Sequence, residues 1–70
     1  MSSKKNLSIS HNIKRKRKEL SLSQDKLSKL AGVAYNTIVK IESEENPNPT
    51  IETLRKIASA LEIGVDDLIK

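Results

Sequence analysis

The side chains that ordinarily perform covalent or metal chemistry are sparse in this chain and poorly spaced for it. There is one His, His11, and no Cys. Ser8, Ser10 and Ser23 have no base at a spacing that would activate a hydroxyl. Asp66 and Asp67 precede a short apolar stretch, where carboxylates complement a helix start and do not form a catalytic pair. A lone His without clustered carboxylates makes no metal site, and no cofactor is expected. Catalysis is the class these residues support least. What remains is charge. Residues 1–18 carry Lys4, Lys5, Lys14, Arg15, Lys16, Arg17 and Lys18 with no acid, a net +7, whereas residues 19–70 sum to −3. Such a block suits a polyanion, either nucleic acid or an anionic membrane surface, and its plainer reading is a solvated, solubilising helix end.

Size narrows the choice further. Seventy residues, 36% of them hydrophobic, make one domain with one small core. A core of this size cannot also enclose an ordinary ligand cavity, so no small-molecule ligand is expected. The lack of Cys fits a reducing, cytoplasmic setting. Uninterrupted apolar runs are only two or three residues long, so no transmembrane helix is expected. No apolar stretch follows Lys4 and Lys5, so no secretory signal is expected either.

The elements that must position these charges all read as helices. Residues 1–8 are polar and aperiodic and read as a flexible basic N-terminal tail, leaving residues 9–69 as the folded domain. A first helix is expected from Ser8 or Ser10, either of which can cap it, to Leu20. Ile9, Ile13 and Leu20 mark its apolar face, with Arg17 in line after Ile13. Ser23 is the next N-cap, and Leu27 and Leu30 form the apolar pair of a second short helix that stops at Gly32. A third helix fits Tyr35–Glu42, with Ile38 and Ile41 inward and Val33 at its entrance. Asn46-Pro47 and Asn48-Pro49 make the following segment a loop. Thr50 caps a fourth helix whose stripe is Ile51, Leu54, Ile57, Ala58 and Leu61. Gly64 then stops or re-caps the chain before a last short helix over Val65–Ile69. No segment alternates with period two, so the expected fold is all-α with five short helices.

Two of these helices carry a mechanism. A short helix opening at Ser23-Gln24, a link Ala31-Gly32-Val33 and a second short helix have the spacing of a helix-turn-helix, with Gly32 at the sharp turn. The second helix keeps Ile38 and Ile41 for the core. Tyr35, Asn36, Val39 and Lys40 are left on its outer face, and an exposed helix of this length fits a DNA major groove.

The ordered set Ile13, Arg17, Leu22-Ser23-Gln24, Leu27, Ala31-Gly32-Val33, Thr37-Ile38, Ile41-Glu42, Asn48-Pro49-Thr50, Leu54, Ala58, Leu61, Val65 and Leu68 resembles the phage-repressor (Cro-like, xenobiotic-response-element) helix-turn-helix family. The resemblance implies a compact, lambda-repressor-like DNA-binding domain. It implies that Tyr35, Asn36 and Lys40 face base edges. Asn can pair bidentately with adenine, Lys can reach guanine O6 or N7, and a Tyr ring can meet a thymine methyl or a phosphate. It places Gln24 on a phosphate at a helix start, where free N–H groups favour an anion, and Thr37, Asn46 and Thr50 along the DNA backbone. Ser23 and Lys14 are expected to join them. Arg17 and Glu42 match a pair tying the first helix to the end of the recognition helix; an exposed pair would add only about 0–1 kcal/mol. Three departures stand out: Ala34 replaces a capping Ser or Thr, Lys16 replaces a Leu, and Glu44-Glu45 replace Gly or basic residues.

The function these observations imply is sequence-specific binding of double-stranded DNA by a transcriptional regulator, with repression by occluding a promoter as the expected sign. A homodimer is expected, with two recognition helices about 34–36 Å apart and Val65, Leu68 and Ile69 as the candidate dimer surface, the equal alternative being that this last helix simply closes the core. Two alternatives use other chemistry. One is a protein-interaction module, an antitoxin bound to a toxin or a coactivator bound to a transcription protein, on the same fold. The other is an RNA or membrane-surface binder using the basic first helix. RNA modules normally stack bases on aromatic rings, and this chain has one Tyr. The basic run also spreads around its helix without leaving a broad apolar face for a membrane.

Overall fold

Ile13, Leu27, Ile38, Ile41, Ile57, Leu61 and Leu68 are fully buried, and helices of period 3.6 bring them to one centre. The computed structural model describes residues 4–45 and 49–69. Its elements are α1 (Lys4–Glu19), α2 (Gln24–Ala31), α3 (Tyr35–Glu42), α4 (Ile51–Ala60) and α5 (Val65–Ile69). No strand occurs among the described residues. Helix α2 packs against α3 and α4, α1 against α3 and α5, and α4 against α5. Each helix thus closes part of the core for its neighbours.

Helix α1 differs from expectation at its start. It begins at Lys4, within the segment read as a tail, and neither Ser8 nor Ser10 caps it. No Gly or Pro separates Lys4 from Ile9, so nothing in the sequence stops the helix from extending. Ser10 is buried, and its hydroxyl donates to the carbonyl of Ile41 on α3. A long-range partner for this Ser removes its competition with local backbone bonds. Asn12 does similar work that the pattern did not reveal: its Nδ2 donates to the Leu68 carbonyl at 2.9 Å, fastening α5 onto α1.

Three apolar residues expected inside lie outside. Leu20, Leu30 and Ile51 are exposed. Helix α1 stops at Glu19, which turns Leu20 off its face. Ala31, at i+4 from Leu27, takes the inward place expected of Leu30, because two packed helices leave room only for a small side chain there. Ile51 is the first residue of α4, outside its buried stripe of Leu54, Ile57 and Ala58. In the opposite direction, Leu68 is wholly buried and Val65 packs on the core, leaving only Ile69 exposed. Leu68 therefore closes the core and is not available as a dimer surface.

The helix ends follow one rule. After α1, α2, α3 and α4 the chain turns through a left-handed residue: Ser21 (φ 60°), Gly32 (φ 72°), Glu44 (φ 69°) and Glu62 (φ 63°). In each case the next N–H bonds back to the helix, Leu22 to Arg17, Val33 to Ser28, Glu45 to Lys40 and Ile63 to Ala58, at 2.8–3.1 Å. These bonds satisfy carbonyls that a helix end leaves free. Leu22, Val33 and Ile63 pack against the core in doing so. Gly64 is not the left-handed residue after α4; Glu62 is. Gly64 instead donates its N–H to Asp67 Oδ2 at 3.3 Å, which opens α5.

One polar cluster holds α1, α2 and α3 together. Arg17 Nε donates to Glu42 Oε2 at 2.6 Å and Arg17 Nη2 to Glu42 Oε1 at 3.0 Å, a bidentate pair. Arg17 Nη1 donates to the Leu22 carbonyl at 2.7 Å, in the turn before α2. Gln24 Nε2, at the start of α2, adds a 3.0 Å bond to Glu42 Oε1. The two charged side chains are only 10% and 3% exposed, so the expectation of a weak surface pair is corrected. A charge left alone in such a site is costly, whereas a well-hydrogen-bonded pair is tolerated.

Two outcomes test this account of the fold. Glu42→Ala should destabilise the chain by about 3–5 kcal/mol in urea unfolding, with the combined Arg17→Met, Glu42→Leu variant recovering most of that loss. A loss below about 1 kcal/mol for the single variant would mean that the pair behaves as a surface contact. Glu62→Gly, which relieves a left-handed backbone, should stabilise by about 0.5–1 kcal/mol, read as a higher melting temperature.

Candidate nucleic-acid interface

Helix α3 uses half its surface to fold and keeps the other half free. Ile38, Ile41 and Glu42 are buried. Tyr35, Asn36 and Lys40 are exposed, with Tyr35 48% accessible, and Thr37 and Val39 are half-buried. The three candidate base-reading side chains, at i, i+1 and i+5, thus share the solvent side of the helix. Eight residues of helix span about 12 Å, the width of a B-DNA major groove.

The turn that sets the angle of α3 is built from the expected residues. Gly32, at φ 72°, leads through Val33 to Ala34, which is extended (ψ 144°) and offers no side-chain cap. The Thr37 and Ile38 N–H groups bond to the Ala34 carbonyl, and the first turn of α3 has no acidic residue. By contrast, Ser23 caps α2 by accepting from the Lys26 N–H at 3.0 Å. Thr50 caps α4 by accepting from the Thr53 N–H at 3.1 Å and donating to Thr53 Oγ1 at 2.9 Å.

Those caps bear on the expected DNA-backbone contacts. The Ser23 hydroxyl accepts one bond and retains its O–H as a donor. The Thr50 hydroxyl has already spent its proton on Thr53. Gln24 is half-buried with its amide on Glu42, and a second N–H of that amide remains. Lys14 is exposed, Thr37 lies partly covered on α3, and Asn46 falls outside the described residues.

Lys14 and Lys18 on α1, Gln24 on α2, and Val39 and Ser43 at the end of α3 border a single cleft, with Arg17 and Glu42 also lining it. The structure therefore brings Gln24 and Lys14 together beside the recognition helix. It adds Lys18 and Ser43 to the surface, next to Val39, which was expected on the outer face. The i, i+4 spacing of Lys14 and Lys18 was a usable signal for a shared cationic edge, once the helix was granted. Glu44 lies on the neighbouring side with Ser10, His11 and Lys14, and both Glu44 and Glu45 are exposed. Neither a group of His, Cys, Asp and Glu fit to hold a metal nor a helix long and apolar enough to cross a membrane occurs among the described residues.

Comparison with known proteins agrees with this geometry. Residues 13–68 match the helix-turn-helix family, spanning the stretch from Ile13 to Leu68 that forms the core. The HTH-type transcriptional regulator SinR of Bacillus subtilis (strain 168) and that of Bacillus licheniformis are each 36% identical to the chain over 61 residues. The match covers 87% of this chain and 55% of either relative, so the chain spans about half the length of the curated relatives it matches. With the turn at Gly32, the outward face of α3 and this match in hand, the chain belongs to the helix-turn-helix family of phage-repressor, Cro-like type.

Proposed function

We propose that the chain binds double-stranded DNA sequence-specifically and regulates transcription, as a repressor acting in the cytoplasm, by placing α3 in the major groove. The observation that carries this reading is the division of α3: an inward face fixed by Ile38, Ile41 and the Arg17–Glu42 pair, and an outward face of Tyr35, Asn36 and Lys40, whose side chains make no hydrogen bond or ion pair among the described residues. The similarity to a protein named as a transcriptional regulator supports the same reading.

Roles follow from chemistry. Asn36 and Lys40 read bases, Asn36 by a donor–acceptor pair suited to adenine and Lys40 by donation to guanine. Tyr35 contacts a thymine methyl or a phosphate from the start of the helix. Gln24, Ser23 and Lys14 hold phosphates at the mouth of the groove, where the N-terminus of α2 adds its own N–H groups. Thr37 and Asn46 complete the backbone contacts, joined by Thr50 when its O–H turns from Thr53 to a phosphate oxygen. One α3 reads only a few base pairs, so two copies of the chain bind two half-sites about 34–36 Å apart. The acidic turn Glu44-Glu45 opposes this binding through its like charge with phosphate.

These roles separate experimentally. Selection from random duplexes should return a short motif repeated at one helical spacing; recovery without sequence preference would refute specific reading. Asn36→Ala and Lys40→Ala should each weaken binding to the selected site by about 1–3 kcal/mol with little effect on unrelated DNA. Gln24→Ala should weaken all duplexes alike. The double variant Glu44→Gln, Glu45→Gln should tighten binding to every duplex at low salt, with the gain fading as salt rises. An unchanged affinity at low salt would remove the acidic turn from the interface.

A further inference from the structure

Val39 occupies an unexplained position. It is half-buried, yet it belongs neither to the buried core nor to the apolar side chains packed against it. What surrounds it is polar: it borders the cleft with Lys14, Lys18, Gln24 and Ser43. On α3 it follows Asn36 by three residues and precedes Lys40, so it lies within the outward stripe. A β-branched side chain on a helix is held in essentially one rotamer and can neither donate nor accept a hydrogen bond. Folding does not require an apolar residue at this place, and solvation would favour a polar one.

Resting on the DNA-binding reading above, we infer that Val39 is a specificity-determining residue whose γ-methyl groups recognise the C5-methyl of a thymine. In the major groove each base edge offers hydrogen-bond donors and acceptors, and the C5-methyl of thymine is the apolar group among them. Lys14 and Lys18 at the rim and Gln24 beside them draw the phosphate strands to the cleft, and a helix seated there points Val39 at the bases between. The contact buries one methyl against another. At about 0.8 kcal/mol for a methyl-sized group, that is a discrimination of about fourfold per half-site. Val39 thus supplies a preference that Asn36 and Lys40, which read through hydrogen bonds, do not.

The test removes the methyl from the DNA and leaves the protein intact. In a duplex selected by the whole chain, each thymine is replaced in turn by deoxyuridine, and binding is measured for the wild-type, Val39→Ala and Tyr35→Ala proteins, each checked for an unchanged helical spectrum and melting curve. The expected result is one thymine per half-site whose replacement weakens wild-type and Tyr35→Ala binding about fourfold and leaves Val39→Ala binding unaffected. Uniform indifference of the wild-type protein to deoxyuridine overturns the inference. So does the absence of any sensitive thymine whose effect is lost in Val39→Ala and kept in Tyr35→Ala. If Val39→Ala does not fold, the wild-type and Tyr35→Ala arms still decide: indifference or loss in Tyr35→Ala overturns the inference, and sensitivity retained in both supports it. A selection that enriches no duplex is a different failure, one that removes the DNA-binding reading itself.

Discussion

The Arg17–Glu42 pair fixes how α1, the turn before α2 and the end of α3 meet. Two charges taken out of water need every partner they can find. Here they find them in three separate pieces of chain: Glu42 ends α3, Arg17 lies on α1 and bonds the Leu22 carbonyl before α2, and Gln24 from the start of α2 completes the set. The apolar core alone would allow α3 to roll or slide, since one packed Ile can replace another at modest cost. A bidentate guanidinium–carboxylate contact has a fixed plane and direction and allows much less. Arg17, Glu42 and Gln24 also line the cleft that Lys14, Lys18 and Val39 border, so the device that orients α3 sits beside its outer face.

Much of this was legible in the sequence, and the parts that were not share a cause. The bounds of α3, the caps Ser23 and Thr50 and the turn at Gly32 follow from local chemistry, and the structure has them where local chemistry puts them. The partnership of Arg17 with Glu42 came from the resemblance to a family, and only the structure reveals its burial. What local reading missed depends on tertiary neighbours. Ser10 looked like a cap until Ile41 offered its carbonyl across the core. Leu68 could serve a dimer surface or close the core, and its packing against α1 and α4 decides for the core. Leu30 was the expected inward partner of Leu27, and the packing takes Ala31 in its place.

The helix ends teach a related lesson. A left-handed residue follows each of the first four helices, but Gly occupies only one of these sites. Glycine is a sign of such a turn and not a requirement for it. After α1, α2 and α4 an apolar residue next to the turn packs on the core and offsets the strain of the backbone. After α3 that place is taken by Glu45, exposed, behind a left-handed Glu44. The end of the recognition helix is thus the one closure made without core packing, with two carboxylates near the negative end of the helix dipole.

A DNA-binding face made of α3 and the start of α2 must respond as one unit when a duplex docks. Titrating the isotope-labelled chain with a selected duplex, and following every amide and side-chain amide by NMR, tests this most directly. The largest changes should fall on Tyr35, Asn36, Val39, Lys40 and the side-chain amide of Gln24, while α5 and the outer face of α4 stay still. Changes centred on α4 and α5, with α3 silent, would contradict it.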